Sequence, residues 1–379
     1  MNVLRFGVAR GLPAAIVALL IAGAPASAVT GWSDPALVYD GNYYEPSMVV
    51  DAHGHAHIAA KGDTGIWYLT NENGGWTRTR LTHDHLRNGV PVNSFGPAIA
   101  IDPATGKVVV AYSRVVEYDV DPGPGANVRY RTLGRTGWSI PHSAHCPGAL
   151  SSLAARRGTI AVATTDTSST HPSMVWFCTN ASGAWTRQHL GPQPDQDTRT
   201  VHLEKPSLAL DSHGKPRIAY LRSTDFGDSS ALYYAHGTTR QGDFLWHKVR
   251  EAGAGVEAPS LVLDGHDRPR IALVADGWTR YAYQNASGWH LERVMRAKYL
   301  ARLALDGSGR PRIVTQDAST YHLWYGARAN GAWTTQLLEP RGGLTEIGGI
   351  AVVNGRTYVS YDLDAGAPSA GRVWFVHST

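Results

Sequence analysis

The chain has 379 residues, 43% of them hydrophobic and 17% charged, with 41 Gly, 12 Trp, 17 Tyr and 2 Cys. That apolar share excludes a disordered chain, and two cysteines exclude a disulfide-dense scaffold. The formal net charge of +4 includes two arginines in the first ten residues, so the balance is too mild to point to nucleic acid.

Residues 1–28 read as a secretory signal. Arg5 and Arg10 precede a short apolar run from Leu12 to Ala22, and Ala26-Ser27-Ala28 is a small-residue cleavage site. The run is too short to span a bilayer unaided, and no later stretch comes near about 18 apolar residues. The expectation is a secreted, extracellular monomer with no membrane span. Its mature part, 29–379, is read as a single domain.

Five segments then share one plan: Glu45 to Asp51, Pro97 to Asp102, Pro206 to Asp211, Pro259 to Asp264 and Arg302 to Asp306. Each is a short apolar strand ending in Asp. A tight turn and a second β-rich strand follow, as in Arg217-Ile-Ala-Tyr and Arg270-Ile-Ala-Leu. Looser copies run from Leu153 to Val162 and from Ile350 to Tyr361. A third strand carries aromatics (Trp67-Tyr68, Trp176-Phe177, Tyr233-Tyr234, Trp324-Tyr325, Trp374-Phe375). A fourth opens on Trp76, Trp138, Trp185, Trp246, Trp289 and Trp333, spaced 43 to 62 residues apart. Four short antiparallel strands at this period make one propeller blade.

The seventh copy stops after its third strand, Arg372 to Val376. A spare Gly31-Trp32-Ser33 near the start resembles the missing fourth. The chain is therefore expected to be all-β: a seven-bladed β-propeller of four antiparallel strands per blade, its last blade closed by the N-terminal strand, leaving no open sheet edge. The Asp ending each first strand should cap its own turn, and the Trp and Tyr columns should pack between blades. His53, His55 and His57 span one such turn and read as turn histidines rather than metal ligands.

Three turns between third and fourth strands, Thr70-Asn-Glu-Asn-Gly74-Gly-Trp76, Thr179-Asn-Ala-Ser-Gly183-Ala-Trp185 and Ala327-Arg-Ala-Asn-Gly331-Ala-Trp333, resemble a degenerate Asp-box, the BNR-type hairpin of sialidase-like propellers. The chain also looks like the lectin and polysaccharide-lyase propellers of that superfamily. The resemblance implies a glycan or polysaccharide partner, with lyase or glycosidase activity, or else a non-catalytic lectin or protein-interaction scaffold. The early blades lack the Arg-Ile-Pro motif of sialidases, so sialidase activity is not expected.

In a propeller, the loops entering first strands and those joining second to third strands share the channel-mouth face, where ligands bind. Those loops hold candidate proton-transfer residues, His83, His85, Tyr118, His145, His171 and His202. Candidates for gripping substrate are Arg87, Arg114, Arg199, Lys205, Arg222, Trp278, Arg280, Tyr299 and His322. Glu45, Glu204, Glu257 and Glu346 are read as carboxylates around the rim. They could hold an acid/base pair, or a divalent cation such as calcium, or form a hydrated acidic edge. The longest departures from the repeat, 82–95, 115–127 and 191–205, place the expected site toward blades two to four. Cys146 is read as lying in the loop entering blade three and Cys178 late in a third strand, too far apart to bridge.

Overall fold

The computed structural model describes residues 31–40, 43–87, 90–116, 126–167, 173–190, 201–224, 230–253, 256–297, 299–317, 319–364 and 371–379. Tyr118, His171 and Arg199 lie outside these residues. Seven antiparallel sheets follow one another around a ring. Their inner strands are Tyr43–Val50, Val90–Ile101, Ala149–Arg156, Val201–Leu210, Ser260–Leu263, Ala301–Leu305 and Leu344–Val353. No helix among the described residues is long and apolar enough to cross a membrane.

The seventh sheet closes as expected. Its outer strand is Ala36–Asp40, paired to Gly371–His377. Trp32 bridges to Ser378, and the amide of Thr379 donates to the Gly31 carbonyl at 3.0 Å. The tryptophans show why the ring holds. Each packs on an aromatic in the third strand of the preceding blade: Trp76 on Phe375, Trp138 on Tyr68, Trp185 on Tyr130, Trp289 on Tyr234, Trp333 on Tyr281, and Trp32 on Tyr325. Ring centroids are 4.9 to 5.6 Å apart. Such tilted and edge-on pairs add to the gain from burying both rings. Blade four departs from the column: Trp246 is exposed, and Phe244 packs on Phe177 instead.

The turn aspartates cap as expected. Asp211, Asp264 and Asp306 each accept amides two and four residues on, and each pairs with the arginine opening the second strand, Arg217, Arg270 or Arg312. In blade one, Asp51 caps His53 and His55 the same way and takes the His55 ring at 3.0 Å. These histidines serve their turn.

One expectation needs correction. Blade two keeps the four-strand plan, but a short strand His85–Arg87 is added beside its inner strand and its outer strand is split into Gly137–Trp138 and His142–Pro147. For that reason Cys146 is not in a mouth loop. It lies on an outer strand that packs flat against blade three, where it forms a disulfide with Cys178, Cα atoms 5.8 Å apart. Counting position along the channel axis put the two apart; packing of one blade's edge on the next blade's face brings them together.

Candidate functional site

The inner strands are tied to one another by a column of serines. Ser47 Oγ accepts the amide of Ile99, Ser152 that of Leu208, Ser207 that of Leu261 and Ser260 that of Leu303, at 2.9 to 3.3 Å. Blade two has Ala98 in this column, and Ser113 of its second strand takes the Leu150 amide instead, at 2.7 Å. The column breaks in one sector. Blade six places Arg302 there and blade seven Gly349, in register with Val314 and Ser360. Beside it, a Cβ on Gly348 would stand 2.5 Å from Ser360 Oγ and 2.9 Å from Pro46 Cβ, so the bare backbone lets blades seven and one close up. The serine tie is absent where the arginine enters.

Arg302 points into a cavity of 510 Å³ at the channel, lined by inner-strand residues of all seven blades. Its charged lining is Glu45, Glu257, Glu346, Lys205 and Arg302. Glu45 and Lys205 hold equivalent places before Pro46 and Pro206, both at φ 52° and both in a bulge of the inner strand. The bulge turns these side chains inward. Lys205 Nζ meets Glu257 Oε2 at 2.9 Å, and Glu45 Oε2 accepts the Gly96 amide at 2.8 Å. Glu204, expected at the rim, does not line the cavity, because the bulge brings Lys205 round in its stead. Three carboxylates interleaved with two cations form an ion-pair lining rather than a cage of oxygen ligands.

Glu346 is the perturbed member. Burial pushes its carboxyl up, the Glu45 charge adds to the push, and Arg302 opposes it. Burial lowers the pKa of Arg302, which Glu346 in turn supports. Behind them lies Asp362, 2% exposed, accepting the Thr345 hydroxyl at 2.9 Å on one oxygen. Its other oxygen has no partner among the described residues. Burial first, then the charges of Glu346 and Asp364, raise Asp362 to about 6. A carboxyl whose folded pKa is raised stabilises the fold while protonated. That contribution is complete below pH 3.8 and is lost as pH rises through about 6. Asp362→Asn is therefore expected to stabilise the protein at pH 7 by up to about 3 kcal/mol, with the gain vanishing near pH 4. Urea titrations at both pH values check this, and equal effects at the two would refute it.

The other expected residues are dispersed. His83 and His85 are exposed on the added hairpin of blade two, His85 Nδ1 lying 3.0 Å from the His83 carbonyl. Between them, Asp84 is held by Lys61 and by the Ser94 amide. His145, at φ 49°, is exposed on the outer strand of that blade, a correction with the same cause as that for Cys146. His202 Nδ1 accepts the Ser173 amide at 3.2 Å. None of these four histidines lines the cavity. Arg87 ends the added hairpin strand, and its side chain lies outside the described residues. Arg114 ends the second strand of blade two, half-buried, opposite Asn127. Arg222 donates to the Tyr233 hydroxyl at 3.2 Å.

At blade six, Tyr299 stacks on the exposed Tyr321, centroids 5.8 Å apart. His322 stands next to them, 3.8 Å from Asp317. At blade five, Trp278 and Arg280 share one face of their strand. Asp211, His213 and Asp267 converge at the opposite end of the molecule, but these carboxylates are committed to amides, Arg217 and Ser212. Arg302 and Asp362 were missed. The first was legible as the one arginine in an aligned column otherwise of Ser, Ala and Gly.

No family model and no curated protein matches the sequence. Solved structures match the fold. A polysaccharide lyase, Uly1, is 12% identical, covering 92% of this chain and 91% of its own, with a TM-score of 0.58. An ulvan lyase is 11% identical over 89% and 94%, with a TM-score of 0.61. An α-L-arabinanase of Penicillium chrysogenum is 12% identical over 81% and 98%, with a TM-score of 0.52. At such identities the likeness is one of fold.

Proposed function

We propose that this is an exported propeller that binds an acidic polysaccharide across its channel mouth and cleaves it there, with Glu346 as the proton donor. The observation that carries this reading is the broken serine column. The serine tie is lost without a substitute in one sector, and there the ring places an arginine opposite a carboxyl that burial keeps protonated above the ordinary range. Elimination and hydrolysis of a glycosidic bond share one step: the leaving oxygen takes a proton as its C–O bond breaks. A protonated Glu346 supplies that proton, and Arg302 and Lys205 offer positive charge to an anionic sugar. Export is supported by residues 1–28 and by the disulfide, which persists in oxidising compartments. That the matched folds include polysaccharide lyases and an arabinanase fits the same substrate class.

The test is a panel of acidic and neutral polysaccharides, read by the absorbance of unsaturated uronates and by new reducing ends. Both signals mark elimination, reducing ends alone mark hydrolysis, and silence in both overturns the catalytic reading. The stacked pair Tyr299–Tyr321, an exposed platform suited to a sugar ring, favours one alternative, a non-catalytic lectin. Retained glycan binding with no cleavage would establish it.

A further inference from the structure

We propose that the seam between blades four and five holds a binding site for the anionic substituents, sulfate or carboxylate, of a polysaccharide chain. The proposal rests on the glycan reading for the ligand's backbone and adds a site outside the channel. Arg280 pairs in register with Leu273 and with Arg293, and Trp278 with Arg296. Direct cross-strand partners share a face, and Leu273 belongs to the core between blades four and five. Trp278, Arg280, Arg293 and Arg296 therefore all face blade four. From blade four, Arg250 reaches toward them.

Among the described residues, arginines outnumber carboxylates beside Trp278. Arg280 is 6% exposed, and its Nη2 meets Asp276 Oδ2 at 2.9 Å. Arg250 approaches that same oxygen at 3.6 Å. The guanidinium carbons of Arg293 and Arg296 lie 5.1 and 5.0 Å from the centre of the Trp278 ring. The guanidinium groups of Arg280, Arg293 and Arg296 thus gather around an indole and the Asp276 carboxylate. Burial first, and then the Arg250 charge, lower the pKa of Arg280, while Asp276 opposes both. An oxyanion would offset that charge, because guanidinium forks match carboxylate and sulfate geometry.

The place suits a chain that starts in the channel. Asp276 and Gly277 form the turn between second and third strands, on the mouth face. The third and fourth strands stand two and three strand spacings from the inner one, roughly 10 to 14 Å. Glu257, on the channel wall, leads into the same blade and donates its amide to Val274 of the strand beside the cluster.

The experiment compares dextran, dextran sulfate and carboxymethyl dextran for binding to the whole protein. Two paired variants accompany the wild type: Arg293→Gln with Arg296→Gln, and, as an equal loss of charge on the opposite face, Arg310→Gln with Arg356→Gln. All four side chains are exposed, so the fold should be kept. The seam pair should weaken binding of a charged dextran at least about tenfold, since a charge-assisted hydrogen bond exceeds that factor. The control pair should change it less than about twofold. Sulfate or carboxylate is then assigned by which derivative binds, and binding of both assigns the shared chemistry. Equal weakening by the two pairs, no weakening by the seam pair, or no binding of either charged dextran overturns the proposal. Failure of the whole cleavage panel, with seam-dependent dextran binding intact, would overturn the channel chemistry alone.

Discussion

Glu346→Gln is expected to lower the rate of polysaccharide cleavage by about 10² to 10⁴-fold, the range for removing a positioned general acid, while changing KM little. The substitution keeps the shape of the side chain and removes only the transferable proton. Stability should not suffer, because the carboxyl it removes is one that burial disfavours when charged. The accompanying signature is in the pH profile. Glu346 is held above the ordinary carboxylate range, so its acid form persists to higher pH, and activity falls as pH rises through its raised pKa. Arg302 pulls that pKa down. Arg302→Gln should therefore move the alkaline limb of the profile to higher pH, even as it weakens binding of acidic substrate. A role confined to packing would leave the limb in place. An unchanged rate for Glu346→Gln would remove this residue from the chemistry.

Reduction of the Cys146–Cys178 disulfide is expected to destabilise the protein by about 3 to 4 kcal/mol, the chain-entropy value for a loop of 32 residues. The bond staples the outer strand of blade two to the third strand of blade three, within an apolar cluster that includes Ala144 and Val162. Urea melts with and without reductant measure the effect, and Cys146→Ser with Cys178→Ser should reproduce it without reductant. Thiols that react in the unreduced native protein would refute the pairing. The loss should be local at first, with blades two and three losing amide protection ahead of the rest.

The ring itself was legible because a period repeats: the Trp column, the Asp turns and the orphan Gly31-Trp32-Ser33 each needed only alignment along the chain. What stayed hidden depended on register or on neighbouring blades. A one-residue bulge decides whether Glu204 or Lys205 faces the channel, and nothing in Glu-Lys-Pro-Ser announces a bulge. The disulfide depends on the edge of one blade lying on the face of the next. The histidines were chosen by loop membership, and the described ones sit on a hairpin, an outer strand and the start of an inner strand, not around one cavity. Arg302 was visible but unremarked, since repeats are read for what recurs.

The ends of the described chain meet. Gly31 and Thr379 share a hydrogen bond, and Ser33 and His377 share another. The sheet they build does not depend on which covalent junction in the ring is open. A circular permutant joining Thr379 to Gly31 by a short linker, and opened at the turn after Arg80 or after Arg296, would keep every strand pairing. It would also convert the seventh blade from one assembled out of two distant segments into one made locally. The native chain cannot finish that blade until its last residues exist, so the permutant should reach the closed ring sooner, with the same cavity at its centre.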